Sequence, residues 1–173
     1  GIFWMTLSSF GIAVTTFVGQ NIGAGKFDRV KKGIRICFLM AVSVTVIMSI
    51  TLYTGGNIFY RVFTKDPSVI KIGLVMIHYI VPALITYVPI EILSGSLRGM
   101  GSAFIPMLIT SLGVCLLRIV WIFTTLPIWP NIRTVILSYP ISWTTTSILF
   151  ILYFIYYMKK NKTSLNTSAK FYE

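Results

Sequence analysis

The sequence predicts an all-α fold, a polytopic helical membrane protein, and three observations carry that prediction. Hydrophobic residues make up 55% of the chain against 11% charged, and mean hydropathy is +0.83, too apolar for a water-soluble domain of this size. Five apolar stretches are each long enough to cross a hydrocarbon core about 30 Å thick as a helix. The chain has 15 basic and 4 acidic residues, a formal charge of +11, and all the basic residues but Arg118 gather in short segments outside those stretches or at their ends. They form no stripe interleaved with aromatics, so nucleic acid is not an expected partner, and the lipid bilayer is.

The expected spans cover residues 2–22, 34–54, 74–97, 104–126 and 135–158. Residues 1–158 read as one transmembrane unit and 159–173 as a polar tail with too little apolar surface to fold. The first span opens at Gly1 with neither an initiator Met nor a basic leader, which points to a chain truncated upstream. It carries a stripe of small residues, Ser8, Gly11, Thr15 and Gly19, with Ser9, Thr16 and Gln20 alongside. Such a face permits close helix contact or lines a polar cavity. The span ends at Asn21-Ile22-Gly23-Ala24-Gly25, where glycine suits a left-handed C-terminal cap.

Charge asymmetry orients the spans. Lys26, Arg29, Lys31, Lys32, Arg35, Arg98, Lys159, Lys160, Lys162 and Lys170 fall at one end, and Arg61, Lys65, Lys71 and Arg133 at the other. The positive-inside rule then puts the first loop and the C-terminus in the cytoplasm. Between the second and third spans, Ile58, Phe59, Val62 and Phe63 recur at helical spacing, which suggests a short interfacial helix. Asp66 followed by Pro67 is an N-cap before a residue suited to the first helical position, so the third helix begins near Pro67. Trp121, Trp129, Tyr139 and Trp143 around the turn at Pro127 and Pro130, with Tyr153, Tyr156 and Tyr157 at the other end, read as interfacial belts. Cys37 and Cys115 have no partner at metal or redox spacing and read as small buried apolar residues.

An ionisable side chain inside a bilayer is costly, about 2.5–3.5 kcal/mol at mid-helix on insertion scales, so each needs a reason. Three fall within spans: His78, Glu91 and Arg118. His78 and Glu91 are about 20 Å apart along one helix and on largely opposed faces, and cannot form a dyad. His78 reads as an interfacial residue beside Tyr79. Arg118 reads as structural, snorkelling or capping freed carbonyls. No His-Glu-x-x-His, Gly-x-Ser-x-Gly or Walker-type glycine loop occurs, so neither a hydrolytic nor a nucleotide-driven site is expected. The chain does not read as an enzyme.

The third span is interrupted by Pro82 and Pro89, which remove backbone donors and free the carbonyls of His78 and Ile85. Broken helices beside acidic residues mark transport pathways. Glu91, two residues after Pro89, is therefore the candidate for a proton, a sodium ion or a cationic substrate, with Pro82, Pro89 and Tyr87 as candidate kink or cavity residues. The competing reading pairs Glu91 with Arg98, since i and i+7 share a helix face. Tyr79, Tyr87 and Tyr139 could offer cation-binding faces or simply pack.

The run from Phe17 to Gly33, Phe-Val-Gly-Gln-Asn-Ile-Gly-Ala-Gly-Lys-Phe-Asp-Arg-Val-Lys-Lys-Gly, resembles the end of the eighth helix and the following cytoplasmic loop of multidrug and toxic compound extrusion (MATE) transporters. Leu97 to Met107 resembles that family's turn between its tenth and eleventh helices, and Ile58 to Pro67 its intervening outer segment. The resemblance implies that the five spans are helices eight to twelve, part of one lobe of a twelve-helix, two-lobe transporter. It further implies efflux of organic cations or amphipathic drugs by proton- or sodium-coupled antiport, with no organic cofactor. The expected setting is the plasma membrane, and the expected partners are drug substrates and the missing N-terminal lobe. Gly19, Gln20, Asn21, Gly23, Gly25, Arg98, Gly99 and Gly101 match motif positions and are expected to shape helix ends and turns. Some family members place an acidic residue eleven or twelve positions before the Arg-Gly turn; Glu91 precedes Arg98 by seven, about one helical turn nearer. A flippase of lipid-linked saccharides is the alternative within transport, and a membrane-embedded acyltransferase is the remaining one.

Overall fold

A computed structural model describes residues 1–161 of the chain, and each of the five spans is a helix. They are α1 (Ile2–Gly23), α2 (Phe27–Phe63), α3 (Pro67–Gly99), α4 (Phe104–Thr125) and α5 (Ile132–Lys160). Among the described residues there is no strand. Short turns join consecutive helices, so they run alternately up and down, and the α1–α2 turn, the α3–α4 turn and the end of α5 share one end. Hydrocarbon supplies no hydrogen bonds, so each segment must satisfy its own backbone, and helices do so.

The core is the second half of α3. From Ile92 to Leu97 every residue is buried, and Val88, Ile92 and Leu97 have no exposed surface. A helix buried on all sides sits inside a bundle: α1 lies on one flank of this segment, α5 on another and α2 behind it. Lipid-facing positions are large and apolar, as at Ile47, Phe123 and Leu152. This bundle is an all-α, multi-pass membrane fold, as the sequence predicts.

The helices extend beyond their apolar windows. Asp66 caps α3 as expected, its Oδ1 accepting from the Ser68 amide at 2.8 Å, and Asn131 caps α5 by accepting from Arg133 at 3.1 Å. The separate interfacial helix expected at Ile58–Phe63 does not exist, because α2 continues unbroken through Gly55 and Gly56 to Phe63. The two glycines act as packing sites and not as a break: a Cβ at Gly56 would come within 2.5 Å of Ile77, and the Tyr60 ring lies against Gly73 of α3. The expected tail begins within the last turn of α5 at Lys159 and Lys160; from residue 162 onward it lies outside the described residues.

Two further expectations are corrected by helix phase. Trp143 is 2% exposed and belongs to the interior rather than to an interfacial belt. It shares the buried face of α5 with Ile136, Thr146 and Phe150, at spacings of three, four and seven. Cys115, expected to be buried, is on the outside of the bundle, and Cys37 is half-buried.

Candidate functional site

Both glycine turns that mark the sequence are built the same way. Gly25 has φ +68° and Gly101 φ +84°. The Gly25 and Lys26 amides donate to Ile22 and Asn21 at 2.9 and 2.8 Å, and the Gly101 and Ser102 amides to Arg98 and Leu97 at 3.0 and 2.9 Å. These paired bonds close each helix with a Schellman motif, whose left-handed residue is most cheaply glycine. Gln20 and Arg98 point outward here, while the Asn21 side chain donates back to the Phe17 carbonyl at 2.8 Å. Tyr157 ties the end of α5 to the second turn by donating to the Met100 carbonyl at 3.3 Å.

Between these turns and the middle of the bundle, α1 and α3 approach backbone to backbone. A Cβ on Gly95 would stand 2.7 Å from the Gly11 carbonyl oxygen, and one on Gly99 would stand 2.6 Å from that of Thr15. Gly11, Thr15 and Gly19 on α1 face Glu91, Gly95 and Gly99 on α3, positions at intervals of four on both helices and all small but Glu91. The Thr15 hydroxyl is shared between its own helix, at the Gly11 carbonyl (2.7 Å), and the Gly95 carbonyl (3.0 Å). Close contact is thus what most of the small stripe of α1 provides; Ser8 and Ser9 are exposed.

Glu91 stands at the upper end of this seam. Its carboxylate lies over Gly11, where any Cβ would collide with it. The side chain keeps 19% of its exposure, and Arg98 Nη2 approaches Oε1 at 4.0 Å, too long for a hydrogen bond. Arg98 is better bonded to Ser94, donating from Nη1 to Oγ at 3.3 Å. Among the described residues Glu91 is the one carboxylate away from a helix end.

One turn before Glu91, the two prolines act differently from an unwound break. Pro82 lies in the last turn of the first α segment and Pro89 near the start of the second; between them Leu84–Tyr87 tightens into a 3₁₀ turn. That turn keeps the backbone bonded while changing the direction in which side chains leave the helix. Thr86 helps by donating to the Ala83 carbonyl at 2.7 Å. Tyr87, four residues before Glu91, is edge-on to Trp4 at 4.7 Å and to Trp143 at 5.7 Å between ring centroids. Trp4 also meets Trp143 at 5.7 Å, and Tyr139 extends the cluster. Rings from α1, α3 and α5 so converge at Tyr87, one turn before the one interior carboxylate.

Arg118 joins the cluster from α4 and does not reach Glu91. Its guanidinium lies 4.0 Å above the Tyr139 ring, and Nη2 donates to Ser142 Oγ at 3.4 Å; Nε is buried without a partner. Just before it, Ser111–Leu116 adopts π register. Gly113 within that segment lies against Thr146 of α5, where any Cβ would collide with the threonine side chain. His78 is remote from all of this, bonded at 2.9 Å to Tyr53 of α2 near the opposite end, and Tyr79 is exposed.

Sequence reasoning missed Trp4, Gly113 and the buried hydroxyls of α5, and assigned Trp143 to a belt. Ser138, Ser142 and Thr146 recur every fourth residue and each donates to a carbonyl of its own helix; that spacing was the available signal. Among the described residues no group of His, Cys, Asp and Glu is placed to hold a metal ion.

Comparison with known proteins agrees with this architecture. The chain is 29% identical over 116 residues to "Probable multidrug resistance protein NorM" of Thermotoga maritima, covering 65% of the chain and 25% of that protein. It is 26% identical over 106 residues to "Probable multidrug resistance protein YoeA" of Bacillus subtilis, covering 61% and 23%. "Probable multidrug resistance protein NorM" of Aromatoleum aromaticum is 26% identical over 111 residues, 64% of the chain and 24% of the relative. The matched region is thus about a quarter of the length of each curated relative. The family profile described as MatE matches residues 1–124, from the start of α1 almost to the end of α4, and the chain therefore belongs to the MatE family of membrane transporters.

Proposed function

We propose that this chain supplies five helices of one lobe of a multidrug exporter in the plasma membrane, with the first loop and the C-terminus in the cytoplasm. The intact protein exchanges protons or sodium ions for organic cations or amphipathic drugs by alternating access, one lobe moving against the other, and needs no organic cofactor. The remaining helices, with the N-terminal lobe, complete the cavity. As a transporter it moves its substrates without transforming them.

The observation that carries this reading is the setting of Glu91. A carboxylate in a membrane helix is retained at a cost, and this one lies one turn after Tyr87, on whose ring Trp4 and Trp143 close, with only a long, solvent-weakened approach from Arg98. An ion or proton neutralising Glu91 changes the charge seen by a cationic drug held against those rings. The curated relatives bearing multidrug resistance names support the substrate class. A flippase of lipid-linked saccharides would call for free cations to meet phosphate, whereas Arg118 is engaged by Tyr139 and Ser142.

The test is Glu91→Gln in the full-length protein, expressed in cells lacking other exporters. Efflux of a cationic dye is expected to fall at least about tenfold, the effect of losing roughly 1.4 kcal/mol of coupling, with unchanged protein in the membrane. Undiminished efflux removes Glu91 from the mechanism.

A further inference from the structure

We infer that the cleft between α1 and α2 holds an anionic phospholipid of the surrounding bilayer, one acyl chain in the cleft and the headgroup on the basic start of α2. The cleft has a volume of about 390 Å³ and is walled by Phe10, Ala13 and Phe17 of α1 and by Ile36, Cys37 and Met40 of α2. Its floor is Gly33, where the absent side chain leaves room for the Phe17 ring to lie directly on the backbone. From Gly33 to Met40 the cleft runs about 10 Å into the membrane, and Phe17, Ile36 and Met40 are 40%, 47% and 54% exposed.

Its occupant is specified by what lies at its mouth. The residues Gly33, Ile36, Cys37 and Met40 recur at three and four and form one stripe of α2. Continued toward the turn, that same stripe reaches Arg29 and then Lys26 at the N-cap, both exposed, with Lys32, four residues before Ile36, at its edge. Lys31 projects close to 180° from the stripe and Arg35 about 150° from it, while the acidic Asp28 lies about 130° away, one turn before Lys32, at 100° per residue. An apolar groove that opens between cations along a single helix face matches the two ends of one molecule: acyl chain and anionic phosphate. Basic clusters immediately outside a membrane helix are the recurrent sites of such headgroups. This inference rests on the membrane setting of the five helices and is independent of the drug-efflux reading.

Native mass spectrometry of the full-length protein in detergent tests it, with phosphatidylglycerol and phosphatidylcholine of matched oleoyl chains as probes. Phosphatidylglycerol is expected to bind the unaltered protein more tightly. The double variant Arg29→Gln/Lys32→Gln is expected to lose roughly thirtyfold of that affinity, while Lys31→Gln/Arg35→Gln, with the same change of net charge, loses less than about threefold. Equal losses from both pairs would reduce the effect to general charge and overturn the assignment. Glycerol 3-phosphate, which has the headgroup chemistry without chains, is expected not to displace the lipid; displacement would put the site in the loop alone.

A second reading needs no change in the basic residues. In a Cys115→Ser background, alkylation of Cys37 by N-ethylmaleimide is expected to slow when phosphatidylglycerol is added and not when phosphatidylcholine is added. Slow alkylation with every lipid would mean that another part of the protein covers the cleft, and rapid alkylation with every lipid would mean that the cleft is empty; either result overturns the inference.

Discussion

Replacing Gly95 with Ala adds one methyl group where α1 and α3 meet backbone to backbone. The new Cβ would stand 2.7 Å from the Gly11 carbonyl oxygen, 2.9 Å from Val14 Cγ1 and 3.1 Å from Thr15 Oγ1, where ordinary contact begins at 3.4 Å. The nearest of these atoms is backbone, which no side-chain rotation can move aside, so α1 and α3 must separate by several tenths of an ångström. Overpacking of this kind costs about 1–3 kcal/mol. Separation also weakens the bond from Thr15 to the Gly95 carbonyl, which is worth about 0.6 kcal/mol in a membrane bundle. Against this, alanine improves helix propensity by about 1 kcal/mol. The balance is a loss of roughly 1–2 kcal/mol, which lowers a melting temperature by several degrees.

Gly19→Ala is the matched comparison. It lies on the same seam, yet its Cβ would meet the Gly99 carbonyl at 3.6 Å, an ordinary contact, so only the gain in helix propensity remains. Thermal unfolding of the full-length protein in detergent should place Gly95→Ala well below the parent and Gly19→Ala at or above it. Equal melting of the two variants would refute the close approach of α1 and α3.

Two other consequences follow from the same contacts. Gly25→Ala and Gly101→Ala force a Cβ into the left-handed region and should each cost about 1–2 kcal/mol, read as lowered melting temperature, with asparagine at either position recovering part of the loss. Gly73→Ala should destabilise only while the Tyr60 ring lies on it: in a double-mutant cycle with Tyr60→Ala, the Gly73→Ala loss should shrink by roughly 0.5–3 kcal/mol, and additive losses would deny the contact.

Features set by neighbouring residues were legible in the sequence. Asp66 before Pro67 and the glycines after Asn21 and Leu97 each carry their geometry within a few residues, and hydropathy located every span. The approach of Arg98 to Glu91 was legible too, since seven residues bring a side chain back to the same face. What failed depended on partners. Gly55 and Gly56 resemble a loop until Ile77 and the Tyr60–Gly73 contact supply a reason for small residues inside a helix. Trp143 resembles a belt residue until the phase of α5 turns it inward toward Trp4 and Tyr87. No local pattern announces the π register at Ser111–Leu116, within which Gly113 meets Thr146 of another helix. Glu91 was nameable from the cost of its charge, but the rings beside it come from three helices.

The embedding and orientation of the five helices are tested most directly by labelling single cysteines with a membrane-impermeant maleimide, in a Cys37→Ser/Cys115→Ser background of the full-length protein in intact cells. Lys65→Cys and Asn131→Cys should label from outside, and Lys31→Cys and Ser102→Cys only after the membrane is permeabilised. Labelling of both pairs from the same side would contradict the alternating helices on which every assignment here depends.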